Sequence, residues 1–340
     1  MPVEHRFDLE NPRDLARLSN PMTALESLQG LVMIDEIQRQ PDLFPLLRHL
    51  CDEDPARRFL ILGSASRDLI RQGSETLAGR IAYHALGGFR TADVDDARRL
   101  WVRGGFPQAY LARDEAASDR WKSHYVTTFL ERDIPQLGIR IPSQTLRRFW
   151  MMLAHYHGQI LNSSELATSF GVSDKTVRHY LDILEGTFMV RLLQPWLPNL
   201  GKRQVKSPKV YLRDSGIFHN LLRIRNEKQI LSHPKLGASW EGFALEQCIQ
   251  TLGLEPNEAF FWRPHDGTAE LDLFYLRGGR NQGVEFKFGD APVISRSIRK
   301  AVDLLELEHL WVIYPGNQTY DLDEKVTVLP LEKIGRLAQE

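Results

Sequence analysis

The sequence predicts a multidomain α/β protein, and three stretches carry that prediction. Apolar strands alternate with helices over residues 1–90, and one of them, "LVMIDE", ends in a pair of acids. A helix-turn-helix pattern, "LNSSELATSFGVSDKTVRHYLDILEGTFMV", fills the middle of the chain. Further on, "AELDLFYL" and "GVEFKFG" put acids and a lysine at alternate positions of two strands joined by a glycine-containing loop. The 340 residues suffice for two or three domains. Lys plus Arg number 43 against 44 Asp plus Glu, so a nucleic-acid surface has to be local. The two cysteines, Cys51 and Cys248, share no metal or redox spacing, which fits a reducing cytoplasm and excludes a disulfide framework. No apolar run approaches the ~18 residues of a membrane helix, and "MPVEHRFDLENP" lacks the apolar core of a signal peptide.

The first segment, 1–90, reads in order as strand "VEHRFDL", helix "NPMTALESLQ", strand "GLVMIDE", helix "DLFPLLRHLCDE", strand "RRFLILGSAS", the link "SETLAGR" and strand "IAYHAL". Such alternation indicates a parallel sheet, whose ligands bind at the carboxyl ends of its strands. Asp35 and Glu36 stand at such an end. In an ATP site the first acid holds Mg²⁺ and the second polarises the attacking water. Ser64, at the tip of the next strand, is the candidate γ-phosphate sensor, and Arg80 the candidate arginine finger, with Arg103 in "RGGFP" a second. A structural alternative makes Asp35 and Glu36 a capping pair with Arg80 as their ion-pair partner. The motif G-x-x-x-x-G-K-[ST] does not occur, and "GKRQ" at Gly201 is a decoy in another domain. This chain alone is therefore expected to bind ATP weakly or not at all.

Residues 91–141 read as a helical lid region and 142–215 as a winged helix-turn-helix. Asn162 and Glu165 suit the cap of the first helix, Gly171 the turn, and Ser173 the cap of the second. Val177, Leu181 and Leu184 form an inward apolar stripe, leaving Lys175, Thr176, Arg178, His179 and Asp182 facing outward. The segment "RLLQPWLPNLGKRQVKSPKVYLR" carries Arg191, Lys202, Arg203, Lys206, Lys209 and Arg213 with no acid, as expected of a β-wing lying on DNA. The expected DNA contacts are Lys175, Arg178, Lys202, Arg203, Lys206 and Lys209; a protein-docking role is the alternative. His155 and His157 lack a third ligand nearby and read as structural.

Residues 216–340 hold the strongest chemistry. Glu241 lies on the helix "GASWEGFALEQCIQTLG". Glu270 and Asp272 share one face of a strand, and Glu285 and Lys287 one face of the next. A helix Glu, a strand Asp and a Glu-x-Lys look like the PD-(D/E)xK nuclease core, in a restriction-endonuclease-like α/β domain. Asp272 and Glu285 would hold Mg²⁺. Lys287 would position or activate the attacking water and steady phosphorane charge, and Glu241 would orient a metal-bound water or a second ion. An exposed hairpin whose acids pair with Lys287 and nearby arginines is the plain alternative.

The whole chain resembles prokaryotic AAA-type ATPase-like proteins with a C-terminal domain of unknown function 4143. The resemblance rests on "LVMIDEIQRQPDLFPLLR", "FLILGSASRDLI", "SETLAGRI", "LWVRGGFP", "TFLERDI", "SPKVYLRDSGIFHNLL", "GASWEGFALEQ" and "AELDLFYL". It implies a P-loop-type sheet, here a truncated one without its first strand and phosphate loop. That first strand would lie beside "FLILGS"; without it "FLILGS" is expected to form an open apolar edge, which favours a truncated gene model or start site. In that sheet Asp35 and Glu36 would be the Walker B pair and Ser64 the sensor. ATP and Mg²⁺ are the implied cofactors, DNA a partner, and a homo-oligomer possible; no membrane association is expected. Three functional readings follow: a DNA-associated ATPase-like switch, a Mg²⁺-dependent DNA nuclease, and a non-enzymatic DNA- or partner-binding regulator.

Overall fold

The computed structural model describes residues 2–63, 77–197 and 206–338. They form two compact units, one of residues 1–86 with 186–188, the other of 87–185 with 189–340. The segments 91–141, 142–215 and 216–340, expected as three separate bodies, thus lie almost wholly in the second unit.

The first unit holds strands β1 (Arg6–Asp8), β2 (Leu31–Asp35) and β3 (Arg58–Ile61), parallel and in the order β1-β2-β3. Helix Pro21–Glu26 starts with Pro21 at its first turn and Asn20 as its cap, both readable from sequence. Helix Leu43–Glu53 buries Leu43, Phe44, Leu47 and Leu50, an i, i+3/i+4, i+7 stripe facing the sheet core of Phe7, Val32 and Ile34. β3 lies at the sheet edge with Leu60 and Leu62 exposed, as expected for "FLILGS". "IAYHAL" is not a strand: residues 81–86 carry no ladder hydrogen bonds, and Leu86 is fully exposed. An apolar run becomes a strand only where a neighbour supplies the bonds.

The second unit is built on a nine-stranded mixed sheet, β11-β12-β10-β9-β8-β7-β5-β6-β4. Its strands are β4 (Gln159–Ile160), β5 (Val190–Pro195), β6 (Lys209–Leu212), β7 (Phe260–Trp262), β8 (Leu271–Arg277), β9 (Arg280–Phe286), β10 (His309–Tyr314), β11 (Tyr320–Asp323) and β12 (Val326–Pro330). β9, β10 and β12 run parallel, and β8 and β9 form a tight antiparallel hairpin. Arg277 pairs with Arg280, leaving Gly278 and Gly279 as a two-residue turn with both φ positive, which only glycine adopts freely.

The caps and buried positions expected along residues 162–184 are present. The Asn162 side chain accepts the Glu165 N–H at 3.2 Å, Gly171 is left-handed, and Ser173 Oγ accepts the Thr176 N–H. Val177, Leu181 and Leu184 are buried. The hairpin after it departs from expectation. β5 and β6 are internal to the large sheet through β5–β7 pairing rather than an exposed wing.

Candidate functional site

In the second unit the hairpin register sets the site. The pair Leu273↔Val284, continued one step, brings Asp272 opposite Glu285. Opposed like charges on neighbouring strands repel. Asp272 Oδ2 also accepts the Phe286 N–H at 3.0 Å, fixing the carboxylate against β9. Lys287 Nζ donates to Glu285 Oε1 at 2.6 Å, while Glu285 Oε2 is buried with no partner.

The helix Leu236–Leu252 brings Glu241 to this cluster, and β6 brings Lys209 and Tyr211. The Lys209 side chain is 2% exposed, and its Nζ stands 2.5 Å from Glu270 Oε1, 3.1 Å from Glu241 Oε1 and 3.4 Å from Asp272 Oδ1. Tyr211 donates its hydroxyl proton to Glu241 Oε1 at 2.5 Å, and Arg263 reaches Glu270 at 3.3 Å. Sequence reasoning missed Lys209 and Tyr211 as members of this site. A strand motif "KVYL" with Lys and Tyr two apart, on one face, was the available signal.

The electrostatics follow from burial and crowding. Burial and the Asp272 charge push the Glu285 carboxyl up to about 8, against the pull of Lys287. Burial and Asp272 likewise hold Glu241 at about 7, although Lys209 and Tyr211 favour its charged form. Burial works against charge on Lys287, but Glu285, Asp272 and Glu241 outweigh it and raise its pKa, so it stays an ammonium at neutral pH. Lys209 is raised further, its burial outweighed by Tyr211 and the surrounding acids.

The donor set fits a hard divalent cation at one place. Mg²⁺ binds proteins through one or two carboxylates, and Asp272 with Glu285 supplies two, one of them with an unpartnered buried oxygen. Glu241 is already engaged by Lys209 and Tyr211. Among the described residues no group of three His, Cys, Asp or Glu converges on a metal position.

The expected DNA-binding residues divide. Lys175 and Arg178 are exposed on helix Asp174–Gly186, and Lys206 is exposed beyond β5. Lys202 and Arg203 lie outside the described residues. Lys209 is a correction: it is buried against three acids, Glu241, Glu270 and Asp272, and does not face a phosphate at the surface. Arg191 and Arg213 likewise turn inward, both pairing with the buried Glu246. His155 is exposed, whereas His157 is buried, its Nδ1 accepting the Leu212 N–H at 2.9 Å. A Cβ on Gly242 would come 2.1 Å from His157 Nε2, so glycine alone lets the long helix sit that close.

In the first unit, Asp35 closes β2 and Glu36 follows in the left-handed region at φ +57°, uncommon for a residue with a side chain. Asp35 Oδ1 accepts the Glu36 N–H at 2.9 Å, and Glu36 pairs with Gln38. Among the described residues no lysine or arginine pairs with either acid. Arg80 instead grips Asp52 with two bonds, at 2.5 and 3.1 Å. Arg103, the second candidate finger, is buried and bonded to Glu115 at 2.9 Å and the Tyr110 carbonyl at 3.0 Å. Ser64 lies outside the described residues.

A parallel sheet that ends in an acid pair, followed by a mixed sheet with a carboxylate–lysine cluster, defines an ATPase-like two-part protein. Residues 4–94 match the family described as AAA domain, 94–228 a domain of unknown function (DUF8612), and 236–334 a domain of unknown function (DUF4143). The chain belongs to the AAA-type ATPase-like family with a C-terminal DUF4143. It is 50% identical over 335 residues to the uncharacterized proteins Rv2008c of Mycobacterium tuberculosis and Mb2031c of Mycobacterium bovis. Those matches cover 97% of this chain and 75% of each relative. A crystal structure of protein VC1899 from Vibrio cholerae is similar at a TM-score of 0.21 and 11% identity, covering 98% of this chain and 95% of that one. Among the described residues no helix is long and apolar enough to cross a membrane.

Proposed function

We propose that this ATPase-like chain hydrolyses phosphodiester bonds of DNA at the Asp272–Glu285–Lys287 cluster. The observation that carries this reading is the unpartnered buried oxygen of Glu285, held opposite Asp272 and beside the half-exposed Lys287. Two acids opposed in this way are one cation short. Asp272 and Glu285 would hold Mg²⁺, which supplies Lewis-acid stabilisation of the phosphate when bound. Lys287, charged at neutral pH, binds a non-bridging phosphate oxygen and offsets the negative charge that grows there; it is not the base. Glu241, held at about 7, is poised to take the proton of the attacking water as the new P–O bond forms. The leaving oxygen departs with its bond pair and is protonated by solvent. Lys209 and Tyr211 orient Glu241 without touching substrate. Lys175 and Arg178 are available to hold the duplex backbone.

The test is nicking of supercoiled plasmid by the full chain with Mg²⁺ or Mn²⁺. Cleavage that chelator abolishes and that Asp272→Asn or Lys287→Ala lowers at least about a hundredfold supports the reading. No cleavage with either ion, or cleavage unchanged in both variants, sinks it.

A second reading concerns the first unit: Asp35 and Glu36 serve a nucleotide. It is favoured by two acids at a strand tip with no cationic partner among the described residues, one of them in a sparsely populated backbone region.

A further inference from the structure

Helix Arg296–Leu304 packs on the large sheet, burying Ile298 and Ala301 in one core with Leu271 and Phe274 of β8. Ser297 Oγ accepts the Glu270 N–H at 2.8 Å and donates to the Glu270 carbonyl at 3.0 Å. That clamp fastens the first turn of the helix to a residue whose side chain already meets Lys209 and Arg263. The helix therefore starts at the edge of the carboxylate cluster.

Its outward face is basic. With Ile298 and Ala301 inward, the helical period turns Arg296, Arg299 and Lys300 to the opposite side, and all three are exposed. Among the described residues none of the three forms an ion pair. Other exposed arginines of this unit meet an acid directly, Arg98 with Glu227, Arg132 with Asp133 and Arg280 with Glu308. The loop between β7 and β8 runs along the same surface. Its Asp266 carboxyl is held low chiefly by bonds from Thr268, with a smaller pull from Lys300. The acids that follow on the helix side, Asp303, Glu306 and Glu308, come only after the basic residues, so the positive end is the one fastened to Glu270.

Cations in the opening turns of a helix cost stability, because that end of the helix already carries positive potential. No acid stands in the first turn to relieve them. The free amides are not the attraction, since Ser295 Oγ accepts the Ile298 N–H. Charges that oppose the electrostatics of their own helix, uncompensated within the fold, are accounted for by an anion outside it. We infer that the face of Arg296, Arg299 and Lys300 carries the phosphate backbone of a DNA duplex where it enters the Asp272–Glu285–Lys287 site. Arg296 and Lys300 stand about 6 Å apart along the helix axis, a length over which a duplex presents about three phosphate charges. The inference rests on the phosphodiester reading for what is bound, but binding is measured without cleavage.

The experiment is fluorescence anisotropy of a labelled duplex of about 30 base pairs with the full chain in EDTA, from about 50 to 200 mM NaCl. The combined Arg296→Gln, Arg299→Gln and Lys300→Gln variant is expected to flatten the slope of log K against log salt by about 2–3. Arg299→Gln alone should flatten it by about 1, equally for any duplex sequence. Both variants should melt at or slightly above the wild-type temperature, since Gln is a good helix former and the first turns lose cations. An unchanged slope in the combined variant overturns the surface, as does a wild type that binds no duplex in EDTA. A slope lost only in Lys175→Gln with Arg178→Gln moves the duplex to helix Asp174–Gly186 and overturns it too. Phosphatidylserine vesicles that bind as tightly as the duplex, and are released in the combined variant, make the partner a membrane surface and overturn DNA. Duplex binding that needs these residues, in a protein that never nicks, leaves the surface standing and removes only the cleavage reading. Nicking as fast in the combined variant as in the wild type at about 150 mM salt does the reverse.

Discussion

The molecule holds two acid pairs, and they live under opposite conditions. Asp35 and Glu36 sit half-exposed at the tip of β2, with no cationic side chain paired to them among the described residues. Asp272 and Glu285 are buried at 7% and 5% exposure, in a cluster supplied with Lys209, Lys287 and Arg263. Identical residue types therefore face different tasks. The first pair is left open to water. The second has been desolvated, and the fold supplies most of the neutralisation itself. The difference teaches that a carboxylate pair alone says little about a site; where its counter-charge comes from says more.

The sharpest way to break the comparison is to remove the internal cation. Lys209→Met strands the buried Glu241 and Asp272 without their shared cation, and urea denaturation should show a loss of about 3–5 kcal/mol. A loss under about 1 kcal/mol would mean that solvent, not Lys209, neutralises the cluster.

Next comes pH. Glu285 and Glu241 have folded values of about 8 and about 7, raised above the ordinary 4.5, so their contribution is complete below 4.5 and is lost as pH rises through 7 to 8. The buried His157 and His219 act in the other sense. Burial holds each at about 3, so their contribution is present above 6.5 and lost as pH falls towards 3. The two effects oppose each other between 4.5 and 6.5. Between pH 6.5 and 8 only the acids titrate, and stability should fall there by roughly 1–3 kcal/mol. Glu285→Gln should flatten that slope; an unchanged slope would show that Glu285 is charged throughout.

The smallest effect belongs to the first unit. Asp35→Asn and Glu36→Gln should move stability by less than about 0.5 kcal/mol, because no buried charge pair is broken. If Mg²⁺-ATP raises the melting temperature of the wild type, Asp35→Asn should remove that rise. A large loss of stability in either variant would mean that this pair, too, is structural.

Much of this was legible in the sequence because it is local. The Asn162 cap, the left-handed Gly171, the stripe of Val177, Leu181 and Leu184, and the Gly278–Gly279 turn each follow from a few neighbouring residues. The two-glycine turn even fixes Asp272 opposite Glu285 by counting back along both strands. Lys209 was illegible for the opposite reason. Its partners Glu241 and Asp272 lie 32 and 63 residues away, so "KSPKVYLR" reads as a bare basic patch. Arg191 and Arg213 misled in the same way, their shared Glu246 lying 55 and 33 residues away. "IAYHAL" failed because a strand is a property of two segments, and an apolar run declares only one.

The two-glycine turn also carries a consequence in time. A hairpin closed by two residues forms within about 1–10 μs, long before segments tens of residues apart find each other. Asp272 and Glu285 therefore meet first, with only the neighbouring Lys287 beside them, and Lys209 and Glu241 reach them only when β6 and the long helix dock. The route to the native state passes through an assembled but only partly neutralised site. A proton on Glu285 is the natural escort for that interval, and the native fold keeps it until pH rises through about 8.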